Sequence, residues 1–234
     1  QKLNFLIYLS GETRKENLMM NFNKDLLLKI SGLCKNYSIN LIYLSSLAVY
    51  GIPKNKLVTN NSSRCPINFY GKTKNEADIN LMNNNRNILI FNIIPSSIIV
   101  SNSKYGFYFK LKKLMGHRII KIIFLILCPG GQFNFCTSED IANEIKKSIN
   151  CSRKFNKKDY KKRIFYFESI ISRGIKVRDI FYDANYFYPL FTIPLINLTL
   201  IRILFRFLNP NLLLRIIFLF SRVEYRNESD YLEN

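Results

Sequence analysis

Short apolar runs alternate with segments of helical periodicity in the first part of the chain. The runs Leu3–Leu9, Leu41–Leu44 and Ile88–Ile94 are apolar almost throughout, as strands buried on both faces are. Between them, apolar residues recur at helical spacing over Leu18–Leu33 and Tyr70–Met82. This alternation predicts an α/β fold in which helices cover both faces of a parallel sheet.

The pattern is less decisive after residue 100. The apolar run Ile119–Leu127 fits a strand or a helix, since an apolar run alone cannot decide between them. Further on, Ser138–Asp140 precedes the periodic segment Ile141–Ile149 and predicts a helix N-terminus, because acidic side chains favour the positive end of the helix dipole. We therefore expect an α/β domain over residues 1–150 and a smaller, mostly helical lobe over residues 151–234.

Composition narrows the class of protein and its partners. The chain has 234 residues, of which 48% are hydrophobic and 22% charged, as in globular proteins. Its five cysteines show no Cys-x-x-Cys spacing, which argues against a disulfide framework and a zinc site and indicates a reducing, cytoplasmic setting. The formal net charge is +19, but no nucleic-acid-binding motif accompanies it. We expect no metal and no nucleic-acid partner.

One uncharged stretch, Ala184–Ile201, is long enough to be considered as a membrane-spanning helix. It contains Pro189 and Pro194, and arginines interrupt the apolar sequence that follows it. A membrane-spanning helix needs about 20 predominantly apolar residues, so this stretch is marginal. Helices packed onto the second lobe are the favoured interpretation, and peripheral contact with an anionic membrane at its inner face is the alternative.

Three residues stand out as candidates for catalysis. Tyr70 and Lys74 are one helical turn apart at the start of a predicted helix, so their side chains share a face. A phenol with a pKa near 10 is a poor base at neutral pH, and a nearby ammonium favours its deprotonated form. Ser46 follows a predicted strand, where its hydroxyl can hold a substrate hydroxyl or carbonyl. The Tyr-x-x-x-Lys pair alone is a weak signal, because it is common on ordinary surface helices.

The candidates belong to motifs that occur in a definite order. Residues 9–11 (LSG) follow the first predicted strand, and residues 20–21 (MN) precede the apolar face of the first helix. Residues 45–51 (SSLAVYG) follow the second strand. Residues 70–76 (YGKTKNE) open the next helix, where Glu76 is the acidic residue that we associate with the tyrosine and lysine.

Two further motifs complete the series. Residues 94–97 (IPSS) end the third strand, and residues 134–142 (NFCTSEDIA) lie downstream. Over residues 5–149, the series resembles the extended short-chain dehydrogenases/reductases, the NAD-dependent epimerase/dehydratase family. The matching family patterns are Ser-Ser-x-x-Val-Tyr-Gly, Tyr-Gly-x-x-Lys-x-x-x-Glu, Arg-Pro-Ser and Asn-Phe followed by Asp-Val-Ala. Glu76 matches the acidic position of the second pattern only loosely. Ile94 departs from that pattern, since it stands where the family usually has Arg.

The resemblance implies a fold, a reaction and roles for individual residues. It implies a Rossmann-like, NAD-binding domain over residues 1–150 and a substrate lobe over residues 151–234. Tyr70 would be the general acid/base, Lys74 would lower its pKa and hold the nicotinamide ribose, and Ser46 would orient the substrate. The dinucleotide groove would be lined by Leu9, Ser10, Gly11, Asn21 and Pro95. The implied protein is an NAD-dependent nucleotide-sugar epimerase or dehydratase of sugar-nucleotide or polysaccharide metabolism, pairing as a homodimer.

One family feature has no counterpart in this sequence. The family begins with a Gly-x-x-Gly-x-x-Gly turn and a helix whose N-terminus receives the pyrophosphate, but none of the nine glycines has that spacing. The resemblance therefore starts after the family's first βαβαβ portion, which argues against tight dinucleotide binding by this chain alone. A catalytically silent, truncated remnant of the family and a basic membrane-surface protein remain as alternative interpretations.

Overall fold

A computed structural model describes residues 3–53, 55, 57–84, 87–99, 132–155, 165–176 and 223–227. The predicted segments Ile119–Leu127 and Ala184–Ile201 lie outside these ranges. Within them, no helix is both long enough and apolar enough to cross a bilayer.

Nine strands and four helices form the described part of the chain. The strands are β1 (Phe5–Tyr8), β2 (Asn40–Leu44), β3 (Leu57–Val58), β4 (Leu89–Pro95), β5 (Ser97–Ile99), β6 (Gln132–Thr137), β7 (Phe165–Ile171), β8 (Arg173–Lys176) and β9 (Glu224–Tyr225). The helices are α1 (Glu16–Met20), α2 (Leu26–Tyr37), α3 (Phe69–Asn84) and α4 (Ser138–Ser152). A π-helical turn (Asn21–Asp25) joins α1 to α2, and a 3₁₀ turn (Leu47–Tyr50) follows β2.

The main sheet has four strands in the order β1-β2-β4-β7, and every pair in it is parallel. Its three predicted strands are confirmed, and β7 is an addition from beyond residue 150. Smaller sheets lie beside it: β5 pairs parallel with β6, β8 pairs antiparallel with β6, and β3 pairs with β9. The division of the chain at residue 150 stays a prediction.

Helices cover both faces of this sheet, as the apolar strands predict. On one face, Leu41 and Ile90 pack against Leu27 of α2 and Leu81 of α3. On the other, residues of opposite parity on the same strands, such as Ile42 and Phe91, pack with Cys151 of α4. Because successive strand residues point to opposite faces, burial on both sides requires the nearly continuous apolar runs seen in the sequence.

Helix α4 begins where its sequence predicts. Thr137 precedes the helix, and its hydroxyl oxygen accepts a hydrogen bond of 3.1 Å from the backbone N–H of Asp140. The Asp140 carboxylate in turn accepts from the backbone N–H of Thr137 at 2.9 Å. This reciprocal capping box satisfies two amides that the first helical turn leaves without partners.

Candidate active site

Ser46 lies at the carboxyl end of a central strand. Strand β2 ends at Leu44, and Ser46 is extended, with φ −162° and ψ 148°, just before the 3₁₀ turn. Its hydroxyl oxygen accepts a hydrogen bond of 3.2 Å from the backbone N–H of Ala48. The side chain thereby caps the turn and is fixed at the mouth of the sheet, where parallel α/β folds bind their ligands.

The start of α3 packs directly against this turn. Asn68 caps α3 by accepting a hydrogen bond of 2.8 Å from the backbone N–H of Gly71. A Cβ atom at Gly71 would come within 2.6 Å of the Ala48 carbonyl oxygen, so the approach of the two backbones requires a glycine. This contact brings the neighbouring residue Tyr70 up to Ser46.

The Tyr70 phenol is part-buried and interacts with the Ser46 hydroxyl. Burial raises the pKa of Tyr70, the hydrogen bond with Ser46 lowers it, and the negative charge of Asp78 raises it, with a net increase. The environment therefore keeps the phenol protonated in the absence of further positive charge. A cationic group placed at this mouth would favour its ionisation.

Lys74 lies one turn further along the same helix face. Its ammonium is buried and donates a hydrogen bond of 2.9 Å from Nζ to the carbonyl oxygen of Leu44, the last residue of β2. Burial lowers the pKa of Lys74 to about 8, although Asp78 opposes this decrease. Charge on this side chain consequently changes near physiological pH.

Gly11 approaches the Lys74 ammonium from the loop that follows β1. A Cβ atom at Gly11 would lie 3.1 Å from Lys74 Nζ and 3.2 Å from the Oδ1 atom of Asn23. Asn23 is fully buried and is fixed by three hydrogen bonds: Oδ1 accepts from Glu12 N at 2.8 Å, while Nδ2 donates to Glu12 O at 2.9 Å and to Thr73 Oγ1 at 3.1 Å. The loop after β1 is thus held against α3 beside Lys74.

The structure brings some of the predicted residues together and leaves others apart. Ser46, Tyr70, Lys74 and Gly11 meet at the carboxyl ends of β1 and β2. Pro95 is buried at the end of β4. The remaining three predicted groove residues are exposed: Leu9, Ser10 and Asn21.

Asn23 is a residue that the motif comparison missed. It sits in the π-helical turn, a feature that often accompanies functional sites. Its buried amide faces Gly11 and Lys74, whereas Asn21 points outwards. Because two asparagines lie within three residues, the sequence alone does not show which of them faces the site.

Asp78 is the second residue that the sequence analysis missed. Glu76, chosen as the acidic residue of the motif, is half-exposed and pairs with Lys24 at 2.8 Å on the outside of α3. Asp78 is 1% exposed and lies one turn after Lys74 on the inner face. The spacing of four residues from Tyr70 to Lys74 and again to Asp78 would have identified it, because such residues share one helix face.

A buried polar network surrounds Asp78 beneath the candidate site. The carboxylate accepts hydrogen bonds from Tyr43 Oη at 2.8 Å, Ser45 Oγ at 2.6 Å and Arg64 Nη1 at 2.8 Å. Arg64 also pairs with Glu168 of β7. Burial lowers the pKa of the guanidinium, but the two carboxylates outweigh this effect and raise it, so Arg64 is permanently charged.

Strand register explains how this network forms inside an apolar fold. Tyr43, Asn92 and Glu168 occupy one row across β2, β4 and β7. Tyr166 lies two residues before Glu168 on the same face of β7, and its hydroxyl lies 2.7 Å from the Tyr43 hydroxyl and accepts a hydrogen bond of 2.9 Å from Asn92 Nδ2. Tyr43, Tyr166, Glu168 and the Nδ2 atom of Asn92 therefore have partners within the network, whereas Asn92 Oδ1 is buried without one.

The residues at the mouth fit one end of a nicotinamide dinucleotide. Lys74 presents a cation, Gly11 leaves room beside it that a Cβ would fill, and Ser46 and Tyr70 present hydroxyl groups. This donor set suits a ribose and an adjacent hydroxyl or carbonyl. In the described residues no cluster of His, Cys, Asp or Glu side chains is arranged to hold a metal ion.

Comparison with solved structures identifies the fold. The enzyme WbmG of Bordetella bronchiseptica, in complex with NAD and UDP, matches with a TM-score of 0.58 at 12% identity, over 76% of this chain and 54% of that one. The UDP-Glc/GlcNAc 4-epimerase of Campylobacter jejuni matches with a TM-score of 0.56 at 15% identity, over 77% of this chain and 60% of that one. The chain shares the Rossmann-like α/β fold of these structures. The Rossmann-like class predicted from the motif series is thereby confirmed.

Other members of the same fold match over a different extent. The dTDP-4-dehydrorhamnose reductase of Yersinia enterocolitica has a TM-score of 0.55 at 14% identity, over 100% of this chain and 75% of that one. The chain spans 54% and 60% of the length of the two enzymes described first. No protein-family model and no curated protein matches the sequence.

Proposed function

We propose that the chain is an NAD-dependent oxidoreductase of the sugar-nucleotide epimerase/dehydratase type. The observation that carries the proposal is the arrangement of Ser46, Tyr70 and Lys74 at the mouth of a parallel sheet. Its support is chemical as well as geometric: a hydrogen bond with the Ser46 hydroxyl lowers the pKa of the Tyr70 phenol, and a buried ammonium lies one turn away on the same helix. The structures with the same fold that are named above act on nucleotide sugars or hold NAD and UDP.

In this proposal Tyr70 moves a proton at the substrate hydroxyl. The Ser46 hydroxyl orients the substrate oxygen, and Tyr70 Oη in its ionised form accepts the proton as the carbon–oxygen bond becomes a carbonyl. Reduction of the carbonyl returns the same proton from Tyr70. General acid–base catalysis of this kind contributes about 10²- to 10⁴-fold.

Lys74 and Gly11 hold the nicotinamide end of the cofactor in this proposal. Bound NAD supplies the hydride chemistry. The Lys74 ammonium donates to the ribose and, as a nearby positive charge, favours the Tyr70 phenolate, offsetting the effect of burial. The pyrophosphate has no glycine-rich turn to receive it in this sequence, so we expect the dinucleotide to bind weakly to this chain alone.

Hydride transfer in the presence of a nucleotide sugar tests the proposal. The chain is mixed rapidly with excess NAD and a panel of UDP- and dTDP-sugars, and the fluorescence of enzyme-bound NADH reports the first oxidation of the sugar, before the hydride returns to the product in an epimerisation or dehydration. The wild type is expected to produce NADH with at least one sugar, and Tyr70→Phe is expected to reduce the rate at least about 100-fold. The matched control is Tyr37→Phe, which alters an exposed tyrosine of α2 and should leave the rate unchanged.

The same measurement separates the proposal from the alternative of a silent remnant. Absence of bound NADH together with an unchanged NMR spectrum of every sugar, from a chain whose circular dichroism shows that it is folded, would support the remnant and reject the enzyme. Equal rates for the wild type and Tyr70→Phe would reject Tyr70 as the acid/base. The homodimer and the membrane contact stay predictions that this experiment does not address.

A further inference from the structure

We propose that Asp78 is a positioning residue of the candidate site, anchoring the Tyr70–Lys74 face of α3 to the end of β2 and supplying the counter-charge to the Lys74 ammonium. The catalytic part of this inference rests on the proposed function. It concerns a residue that touches neither the substrate nor the cofactor in that proposal.

The first step is the bond between Asp78 and Ser45. Ser45 is buried, and its Oγ donates to Asp78 Oδ2 at 2.6 Å. Ser45 is covalently joined to Ser46, so this bond ties the strand end that carries Ser46 to the helix that carries Tyr70. Both partners are withdrawn from water, and hydrogen bonds to a buried charged group contribute more than neutral ones.

The second step is the fixed position of the carboxylate itself. Tyr43 of β2 and Arg64 of the loop before α3 hold Asp78 from two further sides. The Asp78 carboxylate is thus bound by Tyr43 from the strand, by Ser45 from the strand end and by Arg64 from the loop. Hydrogen bonds from three sides hold the carboxylate in one place, and Asp78 thereby anchors α3 to the strand end.

The third step is electrostatic. Lys74 is buried and donates to the Leu44 carbonyl, which carries no net charge. Asp78 lies one turn away on the same face, and its charge favours the protonated ammonium. The charged or titratable groups that act on Asp78 or on the groups around it are Tyr43, Tyr50, Arg64, Tyr70, Lys74, Tyr166 and Glu168.

Titration of Lys74 by NMR tests the electrostatic step without any need for activity. Protein labelled with ¹³C at the lysine Cε is titrated, and the Lys74 signal is assigned by its absence from Lys74→Met. Asp78→Asn is expected to lower the midpoint of Lys74 by about one pH unit or more. Glu76→Gln is the matched control, because it removes a carboxylate from the outer face of the same helix, and it should leave the midpoint unchanged. An unchanged midpoint in Asp78→Asn would overturn the inference.

Ser45→Ala tests the positioning step and serves where Asp78→Asn does not fold. It removes one hydrogen bond to Asp78 and leaves every charge in place. In the NADH assay we expect kcat to fall about tenfold with KM within about twofold of the wild type, because alignment of Ser46 with Tyr70 is lost while binding persists. A wild-type kcat in Ser45→Ala would overturn the positioning role. If the wild type makes no NADH, the proposed function fails. The Lys74 titration in Asp78→Asn still decides this inference, and Asp78→Ser replaces that variant if Asp78→Asn is unfolded.

Discussion

The ammonium of Lys74 donates a hydrogen bond of 2.9 Å to the carbonyl oxygen of Leu44, the last residue of a central strand. The cation is therefore held where the sheet opens, and it is 3% exposed. Burying an ammonium against a neutral acceptor is costly, because a carbonyl replaces only part of the hydration that the charge loses. A feature of this kind indicates function in preference to stability.

Replacement of Lys74 by Met is expected to stabilise the fold while removing activity. The pKa of Lys74 is about 8 in the folded state and 10.5 as the ordinary value, so the protonated form opposes folding by about 3 kcal/mol at neutral pH. Loss of the bond to Leu44 offsets about 1 kcal/mol of that gain. Urea denaturation at pH 7 should therefore show a free energy of unfolding about 2 kcal/mol higher in Lys74→Met.

The pH dependence of this difference has a definite sign. The folded-state pKa lies below the unfolded value, so the cost is fully present below pH 8 and disappears as the pH rises from about 8 to 10.5. The advantage of Lys74→Met over the wild type should shrink across that window. An advantage that is constant with pH, or a variant less stable at pH 7, would contradict the buried-charge interpretation.

Substitution of Gly11 by Ala should disturb the same ammonium from the opposite side. The new Cβ would lie 3.1 Å from Lys74 Nζ and 3.2 Å from Asn23 Oδ1, so one of the two must move by a few tenths of an ångström. We expect the rate of NADH formation to fall about tenfold, since small displacements of a positioned group are costly to catalysis. Unfolding free energy should change by less than about 1 kcal/mol.

Gly32→Ala is the control for Gly11→Ala. A Cβ at Gly32 would meet nothing within 4 Å, and the residue lies inside α2. An alanine there should stabilise the protein by about 0.5–1 kcal/mol, because glycine is a poor helix former, and should leave the rate unchanged. Equal effects on the rate in both variants would show that Gly11 has no special place in the site.

The fold could be predicted where local sequence alone decides it. Leu41–Leu44 and Ile88–Ile94 are buried on both faces of the sheet. Strands of this kind are apolar almost throughout, and their sequences therefore identify them directly. The start of α4 followed from its acidic first turn, and Thr137 supplies its cap. Strand β7 was missed because its sequence, Phe-Tyr-Phe-Glu-Ser-Ile-Ile, carries polar residues that only the buried network explains.

The candidate site was predicted only in part, for a similar reason. Tyr70 and Lys74 were found by their spacing within one helix, which sequence displays directly. Asp78 was overlooked in favour of Glu76. The two acidic residues differ in which helix face they occupy, and only the face of Asp78 is buried. Contacts with Tyr43 and Arg64, which come from distant segments of the chain, determine that burial. Long-range contacts of this kind leave no local signal.

Removal of the Ser46 hydroxyl should alter the pH dependence of the reaction. The hydrogen bond from Ser46 lowers the pKa of Tyr70 against the larger effect of burial, so Ser46→Ala should raise that pKa. The limb of the pH–rate profile on which Tyr70 loses its proton should then move to higher pH, and kcat should fall about 10- to 100-fold. Ser63→Ala, at an exposed serine of the following loop, should reproduce the wild-type profile. A lower kcat with an unmoved limb would indicate that Ser46 acts on the substrate alone.

Asparagines 21 and 23 can be distinguished by removing each amide in turn. Asn23→Ala leaves the N–H and carbonyl of Glu12 without their partner, and an unsatisfied buried group costs about 1–3 kcal/mol. The Thr73 hydroxyl loses the bond from Asn23 but still donates to the carbonyl oxygen of Tyr70. We therefore expect urea denaturation to show a loss of about 2–3 kcal/mol. Asn21 is exposed, so Asn21→Ala should change stability by less than about 0.5 kcal/mol.

The effect on NAD binding separates the two residues further. Asn23 holds the loop that carries Gly11 beside Lys74, so Asn23→Ala should weaken NAD binding, measured by calorimetry below the unfolding temperature of the variant. If Asn21→Ala weakens binding and Asn23→Ala does not, the groove runs along the outer face of the π-helical turn, as the motif series predicts. If only Asn23→Ala weakens NAD binding, the buried amide of Asn23 sets the cofactor contacts. This amide bonds both the backbone N–H and the backbone carbonyl of Glu12, and so holds the loop that carries Gly11.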